Sequence, residues 1–318
     1  MINFDKTLNF DNKEIDIFTM GEVLVDMISN DYDDDFDCSE YTKHFGGSPA
    51  NIAMNVKRLG GNSAIASAVG NDPLGAYLVN HLENNSIDTN YINKVDYSTS
   101  MVLVSKSKTT PVPIFYRGAD YNLEYNEKID FALKNCKIVH FSCWPISQPN
   151  SRKTIEKVIK EARKNNAIIG FDPNYHEGIW EKGHDGIEYI KNLISKVDII
   201  KPSEVDAERI FGPDTYENHV QKFIDLGAKL VIITLGKDGA IVTNGKETLR
   251  FETLATEIVD TTGAGDAFWS GFYTGITKSY TLKDALNLGF ATSAFKLRHV
   301  GAIADLPTIE EIKNIYNL

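Results

Sequence analysis

Apolar positions along the chain fall into short dense runs separated by longer amphipathic stretches. The runs at 138–142, 168–171, 197–200 and 230–235 are rich in branched residues and read as buried strands, and the polar, periodic segments between them read as helices. That alternation predicts an α/β fold, a three-layer sandwich with helices on both sides of a mostly parallel central sheet. In such folds ligands collect where strands end. The run 167–171 ends in Asp172-Pro173-Asn174 and the run 230–235 ends in Gly236, so both ends are expected to face one cleft.

Near the start, 15–21 and 23–28 also read as strands. The segments at about 21–45 and 98–119 break the alternation with short strands and polar or acidic tips. They read as a small β-sheet projecting as a lid, inserted in a domain that spans 15–318. Residues 1–14 show little period and read as a mobile N-terminal extension. No repeat or low-complexity linker interrupts the chain.

The most informative stretch is Asp260-Thr261-Thr262-Gly263-Ala264-Gly265-Asp266-Ala267-Phe268. Three small residues at a helix start leave their amides open to an anion, and the helix dipole adds positive potential there. Asp266 then lies within reach of whatever meets that anion. A fixed carboxylate in that place suits removal of a hydroxyl proton during phosphoryl transfer. Read alone, the same residues also suit an ordinary strand-to-helix turn with a first-turn acid. Downstream, Phe268, Phe272 and Ile276 recur every fourth residue beside a stripe of Ala267, Gly271 and Gly275, which predicts a helix pressed closely against a sheet. A dinucleotide fingerprint would need glycine where Phe268 stands, and no P-loop occurs.

A second cluster, Gly46-Gly47-Ser48-Pro49-Ala50-Asn51, opens another predicted helix. Ser48 suits the N-cap, Pro49 the first helical position, Ile52, Val56 and Leu59 the apolar stripe, and Gly60 the stop. Gly46 and Gly47 would bring backbone amides close to a polar ligand, with Asn51 one turn in. Asp26 interrupts the apolar run 23–28, so it must face solvent or serve a ligand.

Bulk properties narrow the partners. The chain has 318 residues, 42% of them hydrophobic, enough for a large core. Lys plus Arg of 33 against Asp plus Glu of 44 gives a net charge of -11, which disfavours a nucleic-acid partner. Cys38, Cys136 and Cys143 are an odd number without zinc spacing and read as reduced thiols, with Cys143 packing in the core. With no long apolar run and no leader, no membrane association is expected and the location expected is cytoplasmic.

Taken in order and separation, the two glycine motifs are similar to those of the ribokinase-like (PfkB) carbohydrate kinases, in the fructokinase-like and 2-keto-3-deoxygluconate kinase-like branch. The resemblance covers about 15–307. It implies ATP and magnesium as cofactors, Asp266 as catalytic base, and Gly263, Ala264 and Gly265 as the hole for the transferred phosphoryl. It further implies that Asp26, Gly46, Gly47 and Asn51 hold sugar hydroxyls, that Thr234, Gly236 and Gly239 lie near ATP, and that Asp260 and Thr262 bind a potassium ion. Where the family often carries Asn-x-x-Glu, this chain has Ser203 and Asp206; Asp206 would then reach magnesium through water. Members often pair through their lids, which implies a homodimer.

The segment 113–120 resembles the Phe-Tyr-Arg and Ala-Asp pattern of that branch. Arg117 is the expected specificity handle, clamping a sugar-acid carboxylate or bonding the hydroxyls of a keto sugar, and also suits a lid salt bridge. Asn174, like Asp172, is a further candidate contact for sugar or phosphate. The resemblance implies a sugar kinase with fructose as acceptor. Its alternatives are a sugar acid (2-keto-3-deoxygluconate or 5-dehydro-2-deoxygluconate), then a nucleoside. Hexose phosphates come last, since no basic cluster in the sugar half offers a second phosphate pocket. A sugar-binding protein without turnover and an NAD-dependent dehydrogenase are the readings from other classes.

Overall fold

The computed structural model describes residues 2–32, 36–107, 113–183 and 186–318. Residues 33–35 of the acidic tip and 108–112 of the second lid segment lie outside it. In chain order the strands are β1 (Ile15–Met20), β2 (Leu24–Tyr32), β3 (Tyr41–Gly46), β4 (Ser63–Gly70), β5 (Ile92–Val95), β6 (Met101–Lys106), β7 (Pro113–Tyr116), β8 (Cys136–Ser142), β9 (Ile168–Asp172), β10 (Ile199–Ile200), β11 (Leu230–Thr234), β12 (Ala240–Thr243) and β13 (Thr248–Phe251). The helices are α1 (Ser48–Arg58), α2 (Pro73–Asn84), α3 (Glu127–Asn135), α4 (Cys143–Ile146), α5 (Pro149–Lys164), α6 (Gly186–Ile194), α7 (Glu204–Phe211), α8 (Tyr216–Asp225), α9 (Ala264–Thr277), α10 (Leu282–Lys296) and α11 (Ile309–Tyr316).

Nine strands form the central sheet in the order β13-β12-β11-β10-β9-β8-β1-β4-β5. Pairing is parallel from β11 through β5 and antiparallel only at the β11–β12–β13 end. Consecutive residues of the central strands point to opposite faces, and both faces are covered. Phe18, Val139, Ile169 and Phe171 pack under α3, α5, α6, α7 and α8, whereas Ile17, Ile138, Ile199 and Ile232 pack under α1, α9 and α10. This double burial is why these strands read as continuous apolar runs rather than as alternating ones.

The second sheet has the order β3-β2-β6-β7 and accounts for the two segments that broke the alternation. Its near end is anchored: Val25 and Phe45 are buried with Leu78 and Ala50 from α2 and α1.

Two local expectations change. The glycine stripe of α9 faces α10, not the sheet: a Cβ on Gly271 would stand 2.3 Å from Thr292 Oγ1, and one on Gly275 2.9 Å from Ala285. The α9 rings that face the sheet are those of Trp269 and Tyr273, both against His140 of β8, while Phe268 packs on Phe290 of α10. The N-terminal residues are not loose either. Phe4 is buried in the core beneath α9 and α10, and the amides of Leu282 and Lys283 donate to the carbonyls of Lys6 and Phe4.

Candidate active site

The carboxyl ends of the central strands, the start of α9 and the small sheet enclose a cavity of about 910 Å³, the size that holds a cofactor or two small substrates. Its floor is where the two motifs meet. Ser48 Oγ donates to Asp266 Oδ1 at 2.6 Å across 218 residues of sequence, and Asn51 Nδ2 donates to Oδ2 at 2.9 Å across 215. Ser48 therefore does not spend its hydroxyl on capping α1; Gly47 takes the N-cap place, with no side-chain cap bond. Burial raises the Asp266 carboxyl to about 6, and the charge of Asp172 adds to this, against the lowering effect of the Ser48 and Asn51 bonds and of Lys201. A carboxylate poised there is a competent base near neutral pH.

The glycines before α1 are explained by two acids. A Cβ on Gly46 would stand 2.1 Å from Asp26 Oδ2, and one on Gly47, at φ +115°, 2.4 Å from the Glu22 carbonyl. Both positions must be bare for Glu22 and Asp26 to occupy this end of the cavity. Glu22 lines the cavity with Asp26 and Asp266, and its Oε2 is buried without a hydrogen-bond partner. Burial pushes the Glu22 carboxyl up to about 8 and that of Asp26 up to about 7. Glu22 was not singled out in the sequence, because its place follows from the turn between β1 and β2. Leu24, Val102 and Trp144 complete the wall.

At the start of α9 the turn is as tight as the motif implies. Gly263 is left-handed at φ +76°, and a Cβ there would meet the Ala302 carbonyl at 2.2 Å. Gly263, Ala264 and Gly265 all line the cavity. Lys201, a residue the sequence did not reveal, stands beside them: its Nζ lies 3.4 Å from where a Gly265 Cβ would be and 3.0 Å from Asp172 Oδ2. The same Asp172 oxygen accepts from the Trp269 indole at 2.7 Å. A buried cation, a helix N-terminus and bare amides thus converge at one point, an arrangement able to hold an anion.

Toward the far end, Ser203, Thr234, Gly236 and Gly239 line the cavity, together with Glu204 and Lys237 and an apolar wall of Leu254, Ile258, Phe290, Ala294 and Leu297. Asn174 lines it as well, held at φ +33°. Asp206 is committed elsewhere: it forms a capping box with Ser203 at the start of α7, and its two oxygens accept from Ser203 N, Ser203 Oγ and Tyr175 N. Among the described residues no group of three acidic, histidine or cysteine side chains could hold a metal. The donor set would suit magnesium only as an ion brought in by nucleotide phosphates, and Asp206 would be the acidic residue to serve it. Cys143 is fully buried and packs in the core.

Three other candidates lie outside the cavity wall: Gly46 (which sits behind Asp26), Arg117 and Asp260. Arg117 has all five N–H groups occupied, by Asp120, Ser147 Oγ and the carbonyls of Ile179 and Trp144. It has no donor left for a carboxylate, so the geometry is that of a lid salt bridge and not of a substrate clamp. Asp260 accepts from the amides of Thr262 and Gly301 at 2.9 and 2.7 Å, and the Lys296 ammonium sits on its carbonyl. Of the pair named for potassium, Thr262 lines the cavity and Asp260 braces the loop behind it.

Comparison with known proteins agrees with this geometry. The sequence model for the pfkB family carbohydrate kinases matches residues 14–309. The chain belongs to that family, and it is a phosphotransferase with a sugar acceptor. It is similar to a Thermoanaerobacterium thermosaccharolyticum protein named ATP-dependent 6-phosphofructokinase, 64% identical over 100% of this chain and 99% of that one. It is also similar to a 5-dehydro-2-deoxygluconokinase of Clostridium perfringens, 30% identical over 96% of this chain and 94% of that one. Among solved structures, Halothermothrix orenii fructokinase superposes with a TM-score of 0.78 at 41% identity, covering 87% of this chain and 98% of the other.

Proposed function

We propose that this chain transfers the γ-phosphoryl of ATP to a hydroxyl of a fructose-type ketohexose, with free fructose as the acceptor. The carrying observation is the carboxylate of Asp266, positioned by Ser48 and Asn51 at the mouth of an anion cradle. In this reading Glu22, Asp26 and Asn51 hold the sugar so that one hydroxyl faces Asp266. The hydroxyl oxygen bonds to the γ-phosphorus as its proton passes to Asp266, and the bond from that phosphorus to the β–γ bridging oxygen breaks to release ADP. The amides of Gly263, Ala264 and Gly265, with Lys201, stabilise the charge on the phosphoryl oxygens. Magnesium, when bound with ATP, neutralises the nucleotide phosphates. The apolar wall from Leu254 to Leu297 takes the adenine, beside Thr234, Gly236 and Gly239. We place the enzyme in the cytoplasm, with two copies pairing through the small sheet, where Ile114 and Tyr116 are exposed; a monomer mass in light scattering would remove that pairing.

Free fructose is favoured by charge. The acceptor end carries Glu22, Asp26 and Asp266, and the only lysines lining the cavity among the described residues, Lys201 and Lys237, belong to the phosphoryl and nucleotide ends. A second reading, fructose 6-phosphate, is favoured by the name of the 64% identical relative. A sugar acid loses its expected anchor, since Arg117 is fully engaged.

The test is coupled ADP release by the full chain over fructose, fructose 6-phosphate, ribose, 2-keto-3-deoxygluconate, 5-dehydro-2-deoxygluconate and nucleosides. Fructose is expected to lead in kcat/KM by about tenfold or more. A lead by fructose 6-phosphate replaces the first reading with the second, and a response confined to sugar acids removes both.

A further inference from the structure

Behind the anion cradle lies a second buried cation. Lys296, the last residue of α10, is wholly inaccessible to solvent. Its ammonium donates to the main-chain carbonyls of Asp260 at 2.9 Å and His299 at 3.2 Å. The segment it bonds is the one that forms the cradle: Asp260 carries the Thr262 and Gly301 amides on its carboxylate, the amides of Val259 and Asp260 donate to Leu297 O, and Gly263 packs on Ala302. Main-chain carbonyls converging on one positive charge that is itself shut off from solvent are the surroundings of a monovalent cation. Here the charge belongs to the chain, at a helix C-terminus whose dipole favours it. The residues therefore do not fit a potassium ion bonded to the Asp260 carbonyl, because the ammonium already takes that oxygen.

We infer that Lys296 is a tethered replacement for a monovalent cation, a positioning residue that fixes the 260–263 turn so that the kinase works without potassium. The inference goes beyond the proposed acceptor and rests only on the kinase activity, so it stands or falls for whichever sugar is turned over.

The experiment compares the wild-type chain with Lys296→Ala and Lys296→Met in tetramethylammonium buffers of fixed ionic strength, with potassium, ammonium or lithium chloride added to about 100 mM. Wild-type kcat is expected to change less than about twofold with any ion. Lys296→Ala is expected to lose at least about tenfold in kcat and to regain most of it with potassium or ammonium but not lithium, while Lys296→Met, which fills the space, loses activity without rescue. ADP affinity by calorimetry gives a readout apart from turnover: only Lys296→Ala should become potassium-dependent. A wild-type enzyme stimulated tenfold or more by potassium overturns the inference, and this measurement needs no variant to fold. So does a Lys296→Ala protein that melts cooperatively and binds ADP yet keeps full activity without added ions, or stays inactive with every ion.

Discussion

The two ends of the cavity are built from opposite charges. At the acceptor end Glu22 and Asp26 crowd against bare glycines, and burial raises both carboxyls; at the phosphoryl end Lys201, Lys296 and the start of α9 supply positive potential. Asp266 stands on the border, raised by burial and by Asp172 and lowered by Ser48, Asn51 and Lys201. The contrast shows how a chain with a net charge of -11 can accept an anionic nucleotide. Potential is set over a few ångströms, where the dielectric is low, rather than by the sum over the surface.

The largest effect expected from breaking this border is at Asp266. Asp266→Asn should lower kcat by about a thousandfold or more while fructose and ADP still bind, since the amide cannot take the proton. The substitution has room to settle, because Asn51 Oδ1 is buried without a partner and can receive the new amide once the Asn51 side chain flips. It should also stabilise the fold. A carboxyl raised to about 6 in the native state binds more protons than its unfolded counterpart between about pH 4 and 6, so stability falls as pH rises through that window and stays lower above it. Melting at pH 8 should therefore favour Asp266→Asn; a variant that melts lower at pH 8 with equal sugar affinity would contradict the raised value.

Next in size is Lys201. Lys201→Met should cost about a hundredfold in kcat with a smaller change in acceptor KM, because the cation is placed for the phosphoryl and not for the sugar. An equal rise in acceptor KM would move Lys201 to the other side of the comparison. Smaller still is Ser48→Ala, expected to lower kcat/KM by about tenfold or less. Its diagnostic is the pH profile. Wild-type kcat/KM should rise through about pH 6 as Asp266 ionises, and the variant's rise should move to higher pH, since the Ser48 hydroxyl stabilises the ionised form. The smallest effect on turnover is expected at Arg117. Arg117→Met leaves the buried Asp120 charge without a cation, though Ser100, Gly118 and Trp144 still donate to it, so stability should fall by about 3 kcal/mol, while the ranking of sugar acids against fructose stays unchanged.

Much of this was legible in the sequence, for physical reasons. Strands buried on both faces announce themselves by apolar density, and Gly46, Gly47, Gly263 and Asp266 announce a close approach to polar groups because few other residue types tolerate their positions. Lys201 and Lys296 were not legible. A lysine after a short strand, or at the end of a helix, has the sequence context of a solvated residue, and only the parallel sheet and the α9–α10 packing bring each to the turn. Ser48 follows the local rule for capping, and a long-range partner overrides it, since Asp266 takes the hydroxyl; of the two readings Arg117 allows, the lid salt bridge prevails, with Asp120 three residues on and carbonyls 27 and 62 residues away taking the guanidinium. Asp206, given a magnesium role by resemblance alone, also closes a capping box with Ser203 three residues before it.

The bond between Ser48 and Asp266 joins the first sixth of the polypeptide to its last fifth. On the proposed mechanism, a nascent chain emerging from the ribosome holds the turn before α1 early but cannot assemble the proton acceptor until translation has almost finished and the closing helix has docked. Catalytic competence in this molecule is therefore a late report on complete folding, and truncated or half-assembled copies have no means of spending ATP.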